Sequence, residues 1–562
     1  MILLPILSGL IVSGCKKAAP IDNIKINNVG YDIKDEKAGF ITGVFADSFQ
    51  VIDAKTERVV LDAEVTSDPV FDDLSGDYMQ KVDFSELMNE GAYRLKINGL
   101  PKVSGVFEIS EDPYSNGAIM VLRSFYLHRC GISITEGDWE RPFCHLKPAY
   151  VYADESKERK VQGGWHDAGD YNKFTVTHNI AIAYLLMQYL DNPAKYIDGQ
   201  LNLPESGNHI PDILDEIKWG LDWLIKMQDE SGGLNHKVSI KEWTGENLPQ
   251  DETDQQYIFR ISSTGTAGAA AVFAMASSVY EKYDRAYSEN LKNRAIRAWE
   301  YLEENEELSA AGGFINPEGV TGGEYGDKVD TDERLWASVE LFKVTGEIQY
   351  LNYFNNNYGS SFSVLSWLNL INLAYYSYLN LSPKTDGVDP DIYNDLQNRM
   401  LSYGNSILKK MNESGYAYSL KENEFYWGSN SVAMGYSFDL IQIYKLTIED
   451  KYREAALNQL HYALGRNPLG LSFVTGLGFR SVQDPYHQLS KLQGNGIPVP
   501  GMLVGGANYF SRLNGEMLSP YAAKSYEDSF RNYMVNEPAI NYTASFSYTI
   551  GYFSDLGFAI NQ

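Results

Sequence analysis

Cysteine is scarce: the 562-residue chain holds three. A scaffold built on disulfides in place of a core is therefore excluded. Basic residues are also short, with 47 Lys and Arg against 74 Asp and Glu and a formal net charge of −27. Phosphate backbones need a basic face, so nucleic acid is not an expected partner. Beyond its first residues the chain has no apolar run of the length a membrane-spanning helix needs. Aromatics, by contrast, are plentiful at 13%, with 40 Tyr and 9 Trp. Such rings pack helix seams, and where they line a cleft they stack on the apolar faces of sugars. The length calls for more than one domain, and a hydrophobic content of 44% is that of a globular chain.

The stretch Met1 to Gly14 is apolar and ends in Val12-Ser13-Gly14-Cys15. It is too short to span a bilayer and reads as the apolar part of a signal peptide. Small residues before a cysteine resemble the bacterial lipobox, where cleavage leaves a lipidated cysteine at the new N-terminus. Residues 1–20 are thus expected to be signal and tether, with Cys15 as the lipidation site. The mature protein would be an exported lipoprotein of the outer membrane or cell surface, with the periplasm as the alternative, touching the membrane through lipid alone.

Residues 21–111 read as β. Ile24 to Val29, Phe49 to Asp53, Arg58 to Leu61 and Tyr93 to Ile97 are short, alternating and rich in β-branched residues. Several such strands predict a small immunoglobulin-like sandwich without a catalytic cluster. Over 112–562 the period changes. Ile210, Ile213, Leu214, Ile217, Leu221 and Leu224 fall on the stripe of an amphipathic helix. Ile180 to Leu190 reads as a buried helix and Thr264 to Tyr283 as one built for close packing. Leu335–Val344, Ile392–Met411, Ser431–Lys445 and Tyr452–Leu464 are further helices. Long Gly-, Pro- and Asn-rich loops separate them, notably Gly465 to Asn508, and loops of that length usually carry function.

Two stretches hold the chemistry. In Gly163-Gly164-Trp165-His166-Asp167-Ala168-Gly169-Asp170-Tyr171-Asn172 two carboxylates sit three residues apart among glycines. Taken alone, the pair suits a turn, a cation or a water to be deprotonated. In Asn536-Glu537-Pro538-Ala539-Ile540-Asn541-Tyr542 a carboxyl stands among apolar residues, where desolvation raises its pKa and keeps it an acid. Capping a helix or pairing with Arg531 is the competing role for Glu537.

These two stretches resemble the catalytic-base and catalytic-acid motifs of glycoside hydrolase family 9, the inverting cellulase family. His461 to Pro468, Phe473 to Gly478 and Pro498 to Gly506 resemble its further loops in the same order. Asn28-Val29-Gly30-Tyr31 resembles the start of the immunoglobulin-like domain of one subgroup. The resemblance implies an all-α (α/α)6 barrel catalytic domain behind the sandwich. It implies Asp170 as general base, Asp167 as second holder of the attacking water, and Glu537 as general acid. The expected activity is that of an endo-β-1,4-glucanase on cellulose-like, mixed-linkage or xyloglucan chains, acting as a monomer. The alternatives are an exo-acting glucosidase or glucosaminidase, and a non-catalytic glycan-binding lipoprotein. One motif departs: the family has Pro-His-x-Arg where this chain reads Pro485-Tyr486-His487-Gln488. Gln cannot copy the rigid donor fork of Arg, so the neighbouring sugar subsite is altered. Tyr486, His487, Gln488, Trp427 and Tyr542 are the candidate substrate contacts, with core packing the competing role for Trp427.

Cys130, Cys144, His145 and His166 offer the thiolate and imidazole ligands that structural Zn2+ prefers, although their spacing is that of no standard finger. The subgroup resembled here carries a structural zinc at these positions. A Cys130–Cys144 disulfide, two buried thiols, or His128 as a ligand are the alternatives. Asp327, Asp330, Asp332 and Glu333 open a helix, where acids suit the dipole. Clustered carboxylates also suit Ca2+, and the family resemblance implies a structural calcium at a comparable Asp-Glu pair.

Overall fold

The computed structural model describes residues 23–309 and 312–556, and the lipidation candidate Cys15 lies outside them. Among the described residues no helix is long and apolar enough to cross a membrane.

The described chain opens with β1 (Ile24–Lys25), β2 (Gly30–Asp32), β3 (Ala38–Thr42), β4 (Ser48–Asp53), β5 (Val59–Glu64), β6 (Val70–Asp72), β7 (Asp77–Asp83), β8 (Gly91–Ile97) and β9 (Phe107–Ser110). They form two sheets, ordered β1-β3-β7-β6 and β2-β9-β8-β4-β5. Alternation sets the faces. In β8, Tyr93, Leu95 and Ile97 are buried, whereas Arg94 and Lys96 point outward. The register Phe49↔Ile97 and Val51↔Leu95 places four apolar side chains on one face, and Ile41 and Val82 join them from the other sheet.

The helices are α1 (Ser115–Leu127), α2 (Thr175–Asp191), α3 (Asp212–Met227), α4 (Ser263–Tyr280), α5 (Arg285–Glu304), α6 (Thr331–Thr345), α7 (Ile348–Asn357), α8 (Ile371–Leu379), α9 (Pro390–Glu413), α10 (Ser429–Thr447), α11 (Asp450–Ala463), the short α12 (Gln488–Leu492) and α13 (Tyr533–Asn536), and α14 (Ile540–Tyr552). Helices α2, α4, α6, α8, α10 and α14 form an inner ring in which α14 packs on α2. The seam between α8 and α10 is polar: Asn372 Nδ2 donates to Asp439 Oδ1 at 2.8 Å. Helices α1, α3, α5, α7, α9 and α11 surround the ring, so the chain alternates outward and inward as an (α/α)6 barrel.

Burial follows this alternation. Outer helix α9 buries a stripe, Ile392, Leu396, Met400, Gly404 and Ile407, at helical spacing. Inner helices are buried nearly all round, and α4 achieves this with small residues. A Cβ on its Gly268 would stand 2.6 Å from Asn179 Nδ2 of α2. Only glycine permits that approach.

The sandwich is bolted to the barrel by buried polar groups. Asn27 is fully buried; its Oδ1 accepts from Val29 N at 2.9 Å, and its Nδ2 lies 3.0 Å from His461 Nδ1. Arg453 pairs with Asp35, and Lys524 and the Tyr416 hydroxyl both donate to Asp77. Replacing Asn27 with Ala would leave His461 Nδ1 and the Val29 amide without these partners, at a cost of about 2 kcal/mol. The Asn27→Ala variant is expected to melt about 2 °C lower with kcat unchanged; calorimetry and initial rates check this, and an unaltered melting temperature would count against the bolt.

Candidate active site

Strand β12 (Lys173–Phe174) ends the first candidate loop and leads directly into inner helix α2. It is the edge of a small sheet ordered β11-β10-β14-β13-β12, with β10 (Ala149–Val151), β11 (Asp154–Arg159), β13 (Lys237–Ser239) and β14 (Tyr257–Ile258). The loop closes on itself where Asp167 N donates to Asn172 O at 3.0 Å. It is anchored behind by His166 N on His128 O, 2.9 Å, and by Cys130 N on Gly164 O, 2.8 Å. Gly164 has φ +69, and a Cβ there would meet Trp223 at 2.7 Å, so the turn requires glycine.

Asp167 is buried. Its Oδ1 accepts from the Thr177 hydroxyl, and its Oδ2 accepts from the Tyr325 hydroxyl at 2.9 Å. Asp170 is half-buried, with Oδ2 accepting from Asn172 Nδ2 at 2.6 Å. Glu537 arrives from the other end of the chain, in the turn between α13 and α14. Its Oε1 accepts from Gly169 N at 3.3 Å, its carbonyl accepts from Gly505 N at 2.9 Å, and Ile540 N donates to Asp167 O at 2.8 Å. A Cβ on Gly169 would stand 2.3 Å from Tyr486 O. The loops carrying all three carboxyls thus touch at this residue.

Burial raises the pKa of each. Asp167 is pushed up to about 7 by desolvation, against the Thr177 and Tyr325 hydrogen bonds. Asp170 is pushed up to about 6 by desolvation, with Glu252 adding to the rise and Lys237 opposing it. Glu537 is held well above the ordinary carboxylate range by desolvation and by the charges of Asp170 and Asp167. Such a set can hold a proton on one carboxyl while another is ionised, the division of labour that acid–base catalysis needs.

The three acids line a cavity of about 630 Å³. Trp243, Trp367, Trp427, Tyr486, Tyr533 and Tyr542 also line it. Trp427, Tyr486 and Tyr542 therefore stand where the sequence places substrate contacts. His487 and Gln488 do not line it. His487 is buried against His128 and caps α12: its Nδ1 accepts from Ser490 N at 3.4 Å and lies 2.8 Å from the Ser490 hydroxyl. Gln488 spends its carbonyl on Asn247 N at 2.9 Å and its backbone amide on Gly169 O at 3.0 Å. Both residues hold the loop in shape rather than facing the cavity. A one-turn helix starts at this point, and it takes its cap from the nearest polar side chain.

Sequence reasoning passes over Tyr325, Thr177 and Glu252. None of the three stands in a motif that marks it; in the structure Tyr325 is held at φ +46. Strained backbone at a bulky residue marks a position whose geometry matters.

Behind the loop, one ligand atom each from Cys130, Cys144, His145 and His166 lie within 4.8 Å of one another, and both cysteines are free thiols. Cys130 Sγ is 3.7 Å from His145 Nδ1, and Cys144 Sγ is 3.7 Å from His166 Nε2. The edges of a tetrahedral thiolate–imidazole site are roughly 3.3–3.8 Å. His145 gives its other nitrogen to Glu252 at 3.0 Å, the orienting partner that metal-bound imidazoles usually have. The cluster can hold a metal ion. His128 stands outside it, with Nδ1 donating to Ser124 O at 2.7 Å.

At the start of α6, Asp330 is taken by Arg334, 3.0 Å from its Nε. Asp327 Oδ2, Asp332 Oδ1 and Glu333 Oε2 are buried with no hydrogen-bond partner among the described residues. Asp327 is pushed up to about 7 by burial and by the charges of Asp332 and Asp330. Unsatisfied carboxylate oxygens in mutual repulsion are what a bound cation relieves.

The family model for glycosyl hydrolase family 9 matches residues 114–550, and that for the cellulase N-terminal ig-like domain matches residues 19–102. The chain belongs to glycosyl hydrolase family 9. Among its family 9 relatives, Endoglucanase D of Acetivibrio thermocellus is 31% identical over 99% of this chain and 85% of that protein. A metagenome-derived family 9 endoglucanase superposes with a TM-score of 0.89 at 34% identity, covering 94% of this chain and 98% of the other. A Zn-binding triple mutant of the family 9 endoglucanase J30 superposes at 0.87 with 32% identity, covering 93% and 99%. The chain is thus a family 9 glycoside hydrolase, and endoglucanases are among its relatives.

Proposed function

We propose that the chain is an inverting endo-β-1,4-glucanase, acting as a monomer on cellulose-like, mixed-linkage or xyloglucan chains. The observation that carries this reading is the placement of three carboxyls with raised pKa on one cavity walled by aromatic rings. Asp170 takes a proton from water as the water oxygen bonds to the anomeric carbon. Asp167, held by Thr177 and Tyr325, keeps that water in line. Glu537 gives its proton to the glycosidic oxygen as the carbon–oxygen bond breaks. The aromatic walls supply stacking faces for sugar rings on either side.

Zinc is the proposed metal of Cys130, Cys144, His145 and His166, where it would cross-link the segments behind the Asp167 loop. Calcium is proposed at Asp327, Asp332 and Glu333, joining the loop of Tyr325 to α6. The leader is proposed to direct export and to leave the protein tethered by lipid on Cys15, at the outer membrane or cell surface.

On dissolved β-glucan the wild type is expected to lower viscosity before monosaccharide accumulates. Asp170→Asn and Glu537→Gln should each lower kcat by about 10²–10⁴-fold with folding intact. The base works ionised, so activity falls as pH drops through about 6, the value to which Asp170 is raised. The acid works protonated, so activity falls again as pH rises through the raised pKa of Glu537. Viscometry, reducing-sugar rates and a pH profile of kcat/KM test these points. Monosaccharide released from the start would replace endo by exo action, and full turnover in either variant would remove that residue from its role.

Elemental analysis is expected to find zinc and calcium, each in amounts equal to the chain, with chelation lowering both melting temperature and kcat. Neither metal, together with a Cys130–Cys144 bond by mass spectrometry, would overturn the zinc assignment.

A further inference from the structure

Beneath the cleft floor sits a cation without a paired anion. Lys237 of β13 is fully buried. Its Nζ donates to Asn316 Oδ1 at 2.6 Å and to Gly323 O at 2.9 Å, both neutral oxygens, and no carboxylate among the described residues pairs with it. The rings of Phe259, Phe314 and Phe174 stand around the ammonium, with centroids 4.7, 5.6 and 5.6 Å away. Ring faces and two oxygens offset part of the cost of burying a charge. The remainder calls for an anion at longer range.

Asp170 stands within reach. Strand β13 pairs with β12 in the register Phe174↔Lys237, and β12 continues directly from the loop of Asp170 and Asn172. A Cβ on Gly322 would lie 3.9 Å from Lys237 Nζ and 3.2 Å from Asn172 Nδ2, so ammonium and amide flank one glycine. Asn172 Nδ2 in turn is 2.6 Å from Asp170 Oδ2. These steps keep the ammonium within about 10 Å of the carboxylate, a range over which salt screens a buried charge little. Burial pulls the pKa of Lys237 down to about 8, against the charges of Asp170 and Glu324. Glu324 is exposed and Asp170 half-buried, so water weakens the first partner more than the second.

The neighbouring lysines are otherwise engaged. Lys241 lines the cavity but pairs with Glu155 at 2.8 Å. Lys173 of β12 turns behind the loop to Gly163 O at 2.9 Å. Around Asp170 itself stand Glu252, Asp167, Glu537, Tyr171 and Tyr486, and none of them is a cation. On the lysine's side are Glu324, His236, which burial keeps neutral, and the exposed Arg260 over the Phe314 ring.

We propose that Lys237 is a positioning residue for the base: its ammonium, fixed under the cleft floor, holds Asp170 in the ionised form that takes a proton from water. The inference rests on the reading of Asp170 as general base. Three carboxyls share one cavity, and each charge makes the next costlier. Lys237 supplies the compensating charge from behind Asn172 and Gly322. It does so without a direct salt bridge, which would occupy the carboxylate oxygens that the water has to reach. The base thus stays active at a lower pH than in a site lacking the lysine.

The test compares kcat/KM on soluble β-glucan across pH for full-length wild type, Lys237→Met, Asn316→Asp and Lys237→Arg. Melting temperatures confirm folding, and elemental analysis confirms equal metal content. Lys237→Met removes the charge and keeps the stem. Asn316→Asp pairs the charge locally and stands in if Lys237→Met does not fold. Both should move the acid limb up by about half a unit to one unit. Rates should fall roughly three- to tenfold below the limb and change little above it. Lys237→Arg, which keeps the charge, should hold the wild-type limb. An unmoved acid limb in folded Lys237→Met, or in Asn316→Asp where that variant stands in, would reduce the lysine to a structural role and overturn the proposal. A limb that moves equally in Lys237→Arg would do the same. Asp170→Asn separates the two readings: full turnover there removes the base and this proposal with it. An inactive Asp170→Asn beside an unmoved limb overturns the role of Lys237 alone.

Discussion

Gly169 is the joint on which the site depends. Its amide donates to the Glu537 carboxylate, its carbonyl accepts from Gln488 N, and its α-carbon lies against Tyr486 O with no room for a side chain. Residues remote along the chain thereby meet at one residue that offers only backbone groups. Ile540 N on Asp167 O and Gly505 N on Glu537 O complete the lattice. Backbone ties fix the loops that carry the carboxyls, because they have no rotamers to lose. The barrel's contribution is to present the ends of α2, α13 and α14 where these ties can form.

The second constraint is charge. Three carboxyls in one poorly hydrated space cannot all ionise at ordinary cost. The structure ranks them by neighbours. Asp167 has two hydroxyl donors, Asp170 has the amides of Asn172 and a nearby Lys237, and Glu537 has one long hydrogen bond from Gly169. Glu537 has the least support for its charged form, which suits the acid role proposed for it. Glu252 ties this balance to the Cys/His cluster, since it lines the cavity and also holds His145. The brace behind the loop and the electrostatics in front of it are therefore one arrangement.

Much of this is legible in the sequence because it is local. The alternation of β8 and the stripe of α9 give their elements directly, since each has one wet face. Helix α14, Ile540–Tyr552, is not legible in that way: it is rich in Thr, Tyr, Ser and Ile, and burial on every side imposes a helix that propensity disfavours. Inner helix α8 is hidden for the same reason. Within the site, Asp167, Asp170 and Glu537 are readable from their motifs. Tyr325 and Thr177 are not, because their role exists only once α2 and the loop before α6 have met. His487 misleads, since a histidine beside a cleft-lining tyrosine takes up a helix cap instead.

The central claim is that Asp170 activates water on one face of the sugar while Glu537 protonates the leaving oxygen. Such an arrangement inverts the anomeric carbon. Proton NMR of the first product formed from a β-1,4-glucan oligosaccharide, recorded before mutarotation, tests this most directly. The account predicts the α-anomer at the new reducing end; the β-anomer as first product would contradict it.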